Sequence, residues 1–169
     1  VHEIMKKYVN TYSADFCRIR QDEARFELLV DEALITGSID LLLKEDEARN
    51  INAAEVIDFK SMEVPDELEK FDWREMSLQV QLYSRAAKEV IGENAETGYV
   101  HTLKNNKRVE VPVDANSIDH AIKAIEWAVR GILQEDFPMR ACLTNCKNCD
   151  YKALCRQKKE NFKRKELPP

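Results

Sequence analysis

Residues 54–61, AEVIDFKS, decide how the rest of the chain is read. Most of the stretch is an ordinary buried strand, but Asp58 and Lys60 set an acid and a base two residues apart. Alternate residues of a strand share a face, so the two charges stand side by side on one surface. The strand before it, ALITGSIDLLLKE (33–45), is strongly apolar and is interrupted by Asp40. The polar loop 45–53 between them centres on residue 49, with Asp40 nine residues before that centre and Asp58 nine after. A symmetric hairpin register would put the two carboxylates opposite each other, with Cβ atoms about 5 Å apart. Two acids facing each other in an apolar sheet repel and lose hydration unless a cation joins them. Oxygen ligands suit a hard divalent ion, Mg²⁺ or Mn²⁺. Lys60 beside them can position a water and offset the charge of an oxyanion, which is equipment for metal-assisted phosphodiester hydrolysis. The competing reading is a cross-strand ion-pair cluster at a sheet edge, without chemistry.

Outward from this pair, residues 2–12 read as an amphipathic helix and RIRQDEARFELLV (18–30) as a strand turning at Asp31-Glu32. The three strands are then consecutive and form an antiparallel meander. MEVPDELEKFD is a long acidic loop containing Pro65. Residues 73–92 make a helix with Met76, Val80, Tyr83, Ala87 and Ile91 on its apolar face and Gly92 as its stop. GYVHTLK and RVEVPV flank Asn105-Asn106 as a hairpin. Residues 117–134 form a further amphipathic helix, capped by Asn116 or Ser117. The order α-β-β-β-α-β-β-α predicts a mixed sheet with helices on its faces.

At 169 residues, with 44% apolar and 34% charged side chains, the chain is long enough for one domain with a real core. No run approaches the roughly 18 apolar residues of a membrane span, and the N-terminal helix is no signal peptide. A cytoplasmic protein is expected, and the abrupt start at Val1 reads as a piece of something longer. The formal net charge of −5 argues against nucleic acid on its face. The charge is uneven, however: residues 140–169 carry a net +6 and residues 1–139 a net −11. An acidic body with a basic tail permits a polyanion without requiring one.

GSID followed by VIDFKS resembles the motif of the PD-(D/E)XK nucleases, with the motif's positions on Asp40, Asp58 and Lys60. EARF (23–26) is similar to the E-x-x-F strand preceding G-x-x-D in the RecB-like branch. QVQLY (79–83) resembles that branch's Q-x-x-x-Y, giving Gln79 and Tyr83 one helix face at the site or the DNA. VHEIMKKYV resembles the helix whose histidine is a further metal ligand, a role that would fall on His2. The resemblance implies a restriction-endonuclease-like α/β fold, a mixed β-sheet flanked by helices. It also implies a Mg²⁺- or Mn²⁺-dependent deoxyribonuclease, exonuclease-like on single-stranded DNA. Asp40, Asp58, His2 and the carbonyl of Phe59 would hold the metal; Lys60 would position the attacking water; Gln79 and Tyr83 would be accessory. The implied partner is a helicase domain or subunit of a helicase-nuclease of DNA repair and recombination, with no membrane. A rival reading is a non-catalytic DNA-binding or scaffolding domain with a vestigial site. The intact acid, acid and lysine set argues against it.

The nuclease core is expected over residues 1–139 and a cysteine-rich extension with a basic tail over 140–169. Cys142, Cys146, Cys149 and Cys155 lie within fourteen residues, with Cys17 apart. Clustered cysteines in a cytoplasmic protein favour metal over disulfide. CKNCDYKALC resembles the C-x2-C-x5-C tail of RecB-like nucleases that carry a [4Fe–4S] cluster; there the fourth cysteine lies N-terminal to the nuclease core and is not evident in this sequence, so Cys142, or less readily Cys17, would replace it. A Cys₄ zinc site and free thiols are the alternatives.

Overall fold

Strand-forming residues with alternating burial dominate the first half of the chain, and they pair as their turns dictate. The computed structural model describes residues 2–49, 51, 53–63, 73–136, 146 and 149–150. Helix α1 (His2–Tyr12) leads through a 3₁₀ turn (Ser13–Arg18) into strands β1 (Ile19–Val30), β2 (Ala33–Leu43) and β3 (Ala54–Lys60). Helix α2 (Arg74–Ala86) follows, then the hairpin β4 (Ala95–Thr102) and β5 (Lys107–Val111), and helix α3 (Ala115–Leu133). The five strands lie in the order β1-β2-β3-β4-β5. β1/β2, β2/β3 and β4/β5 are antiparallel and β3/β4 is parallel, its crossover carrying α2. The expected α/β architecture and meander are therefore present. The chain forms two compact units, Val1–Glu126 and Trp127–Pro169.

One face of the sheet carries the main core. Phe26, Leu28, Leu42, Val56 and Val100 meet Val80, Tyr83 and Ala86 of α2, with Ile118, Ile122 and Ile125 of α3 against them. Gly98 of β4 lets α2 come this close. A Cβ there would meet Val80 Cγ1 in direct overlap and lie 2.8 Å from Val113 Cγ1. The seat of Val80 fixes its neighbour Gln79 over the end of β3. The helix ends differently from the expected α-helix to Gly92. Ala87–Ile91 form a π-helical turn, closed by Gly92 in the left-handed region at φ 81° with its N–H on Ala87 O. Helix α3 also starts earlier than expected. Asp114, not Asn116 or Ser117, is its cap, accepting from the backbone N–H of Asn116 at 3.0 Å and Ser117 at 3.1 Å. A carboxylate one residue before the helix can serve both orphan donors at once.

The other face is covered by α1 and the 3₁₀ turn. Buried Arg18 donates to Glu55 at 3.0 Å and, through Nε, to Lys44 O at 3.1 Å. Asp15 links Arg18 at 3.6 Å to Arg108 of β5 at 2.8 Å, and the Arg108 guanidinium lies 4.0 Å from the Tyr12 ring centre. Tyr8 packs edge-on against Phe59 (5.7 Å) and His101 (5.1 Å). His101 is fully buried. Burial first, then the Arg108 charge, push its pKa down to about 4, with the Asn106 side chain pulling the other way. It is therefore neutral at physiological pH, and its ring acts as packing beneath Phe59.

Overpacking a close contact costs about 1–3 kcal/mol. Gly98→Ala should lower unfolding free energy by that amount, read from the urea midpoint at constant slope. An unchanged midpoint would mean that α2 does not rest on this strand.

Candidate active site

The register of β2 and β3 places the two acids. Leu43↔Glu55, Leu42↔Val56 and Leu41↔Ile57 are paired, and the ladder stops there. The next step of the same register is Asp40 opposite Asp58, as the hairpin symmetry predicts. The N–H of Phe59 has no β2 carbonyl to meet. It donates to Asp40 Oδ2 at 2.7 Å instead, so Asp40 closes the fork where the strands part.

Asp58 is 1% exposed. The Lys60 ammonium, on the same face two residues on, donates to its Oδ1 at 3.1 Å and lies 2.8 Å from Oδ2. Oδ2 nonetheless lacks an aligned hydrogen bond and is cut off from solvent. Burial pushes the Asp58 pKa up, the Lys60 hydrogen bond and charge oppose it, and the Asp40 charge pushes it up further. The net direction is up, because desolvation outweighs the single, partly exposed ammonium.

Lys60 is held from a second side by α2. Its ammonium donates to Gln79 Oε1 at 2.7 Å, and Gln79 Nε2 donates to the Tyr83 oxygen at 2.6 Å. The polarity of this chain is forced. An ammonium can only donate, so Gln79 must present its oxygen to Lys60 and its NH₂ to Tyr83. Burial raises the Tyr83 pKa, with Gln79 opposing and the charges of Asp40, Asp58 and Glu23 adding to the rise. Tyr83 keeps its proton, which remains free to donate away from Gln79.

The structure thus brings Asp40, Asp58, Lys60, Gln79 and Tyr83 together. His2 is exposed in the first turn of α1. Among the described residues no three His, Cys, Asp or Glu side chains are gathered as metal ligands, so His2 is not drawn in with the two acids. Cys142 and Cys155 lie outside the described residues; Cys146, Cys149 and exposed Cys17 are in no disulfide among the described residues, and the Cys17 thiol donates to Ala14 O at 3.3 Å. Sequence reasoning overlooked the placement of Glu23. Asp22↔Leu41 and Ala24↔Ile39 flank it, so Glu23 stands opposite Asp40 on β1. Its backbone is left-handed at φ 46°, unusual for a side chain of this kind, and its Oε2 accepts from Ser38 Oγ at 3.1 Å. Counting back from the Asp31-Glu32 turn would have found it. Three adjacent strands therefore each present one acid along a line across the sheet.

The residues present fit a hard cation. Asp58 Oδ2 is a buried anionic oxygen without an aligned donor, and Asp40 spends only one oxygen on Phe59. PD-(D/E)XK nucleases generally use Mg²⁺ or Mn²⁺.

Comparison with known proteins agrees with this geometry. The profile of the PD-(D/E)XK nuclease superfamily matches residues 1–156, and the chain belongs to that superfamily. No curated protein sequence matches it. Among solved structures, SSO0001 is similar with a TM-score of 0.52 at 16% identity, over 90% of this chain and 68% of that one. A candidate exonuclease from Eubacterium rectale is similar with a TM-score of 0.56 at 14% identity, over 96% of this chain and 62% of that one. The chain thus spans less than two thirds of the latter, and at these identities both show the fold alone. No helix among the described residues is long and apolar enough to cross a membrane.

The raised Asp58 pKa has a stability consequence. Between the unfolded value near 3.8 and the higher native one, the native state binds more protons. Metal-free stability therefore falls as pH rises through that window. Asp58→Asn removes this loss. In EDTA it should be more stable than wild type at pH 7, with the gap closing as pH falls toward 3.8. Denaturant melts at both pH values check this; a mutant less stable at pH 7 would refute the desolvation argument.

Proposed function

We propose that this chain is a Mg²⁺- or Mn²⁺-dependent deoxyribonuclease domain, exonuclease-like on single-stranded DNA and working within a helicase-nuclease of repair and recombination in the cytoplasm. The observation that carries the catalytic part is the fork. Asp40 and buried Asp58 converge where β2 leaves β3, and Lys60 is fixed beside them from two sides. Superfamily membership supports phosphodiester hydrolysis. The RecB-like motifs support the helicase link, and an acidic body with a basic tail fits a domain that borrows DNA-binding surface from a partner. The Eubacterium rectale protein's description as a candidate exonuclease supports the mode of action.

In this proposal Asp40 and Asp58 hold the cation. The carbonyl of Phe59 helps, since N–H and C=O of one strand residue face the same neighbour and the N–H already faces Asp40. His2 would join from α1, whose Tyr8 rests on Phe59. The bound cation would supply Lewis acidity and lower the pKa of water at the scissile phosphate. Lys60 orients that water and offsets charge on the phosphoryl oxygens. Gln79 keeps the ammonium from collapsing fully onto Asp58, and Tyr83 keeps Gln79 in its amide orientation. Cys142, Cys146, Cys149 and Cys155 are proposed to hold a [4Fe–4S] cluster, with Zn²⁺ the alternative, orienting the basic tail toward DNA.

Removing a ligand and removing a positioning charge should differ in kind. Asp58→Ala should lose both Mn²⁺ binding in calorimetry and cleavage of a labelled single strand. Lys60→Ala should keep Mn²⁺ binding and lose about 10²–10³ in rate. DNA binding should survive both changes through phosphate contacts. A Lys60→Ala protein cleaving at the wild-type rate would leave the pair as a structural salt bridge.

A further inference from the structure

Phe26 belongs to the main core by burial and Gly37 is half-buried beside it, yet they touch the site through an unbroken line of contacts. Phe26 is 4% exposed on β1. Gly37 stands opposite it on β2, and a Cβ at Gly37 would lie 2.7 Å from the ring's Cζ and 2.9 Å from Cε1. The glycine leaves room for the ring tip, which any side chain at this position would have to displace. The ring also packs against α2. Its other neighbour there is Tyr83, met edge-on at 5.9 Å between centres with the planes at 73°. Tyr83 accepts from Gln79, Gln79 accepts from Lys60, and Lys60 meets Asp58.

We infer that Phe26, seated against Gly37, is a positioning residue for Lys60, acting through Tyr83 and Gln79. The inference rests on the nuclease reading for what Lys60 does, but the contact line itself does not. Helix α2 is set by Gly98 at Val80, on the other side of Gln79, so Tyr83 is the side chain whose tilt remains to be fixed. An edge-to-face pair fixes it, because a quadrupolar contact has a preferred angle as well as a distance. The Tyr83 hydroxyl sits at the far end of its ring, where a small tilt moves it most. The 2.6 Å bond from Gln79 leaves little slack. Gly37, Phe26 and Tyr83 therefore act as one wedge, and the glycine and aromatic of the first two strands tune a lysine on the third.

The test uses the full chain labelled with ¹⁵N. The side-chain amide signals of Gln79 are assigned by their loss in Gln79→Ala. Gly37→Ala and Phe26→Leu should each move these signals; the second variant adds no atom at position 37 and so guards against misfolding by the first. Amide signals unmoved in both would overturn the proposal whether or not DNA is cleaved. In cleavage of a labelled single strand with Mn²⁺, Gly37→Ala should lower kcat about tenfold or more at near-constant KM. In the Gln79→Ala background it should lower kcat by less than about twofold, since the line is already cut. Effects that multiply independently would overturn the positioning role and leave a plain packing contact. Wild-type protein that cleaves nothing, with the amide signals still moved, would count against the nuclease reading and in favour of the contact line.

Discussion

The site depends on one break in a ladder. β2 and β3 pair as far as Leu41 and Ile57 and then part. Had they stayed paired, Asp40 and Asp58 would face each other as a like-charge cross-strand pair, which is destabilising. Parting frees the N–H of Phe59, and Asp40 takes it. That single bond uses one carboxylate to close the fork and leaves the other, Asp58, buried with unspent acceptor capacity. The apolar strand around Asp58 is what makes its charge costly, and that cost is what a cation would relieve.

Both faces of the sheet contribute to holding that arrangement. On one side, Gly98 admits α2, and α2 carries Gln79 and Tyr83 to the Lys60 ammonium. On the other, the aromatic group of Tyr8, Tyr12, Phe59 and His101 presses on the back of β3. The Glu55–Arg18–Asp15–Arg108 chain of ion pairs ties the 3₁₀ turn after that group's helix to β3 and β5. His101 serves this purpose only as a neutral ring, and its depressed pKa keeps it so. The functional side carries a left-handed Glu23 and a desolvated Asp58, while the supporting face is closely packed by aromatic rings. Sites that carry such local costs persist when the surroundings over-determine them.

Much of this was legible in the chain. The symmetric spacing about residue 49 gave the register through Asp40 and Asp58, because a hairpin with a centred loop has little choice. The helix face of Gln79 and Tyr83 followed from the four-residue spacing. What escaped reading depends on tertiary contact. Nothing local says that Asp114 rather than Ser117 caps α3, since both are good capping residues. The π turn after Ala86 is set by where Gly92 can close the helix. Gly37 looked like part of a motif, and only the approach of Phe26 shows the physical reason for its missing side chain. The roles assigned to His2 and to the four clustered cysteines came from resemblance, and they stay with the proposal.

The central claim is that Asp40 and Asp58 form a cation site at the fork. Crystals soaked in Mn²⁺ and measured at the manganese absorption edge test it most directly. The account predicts an anomalous difference peak between the two carboxylates, within about 2.0–2.6 Å of an oxygen from each and of the Phe59 carbonyl. Density at that position replaced by the Lys60 ammonium, with no anomalous peak there in manganese, would contradict it.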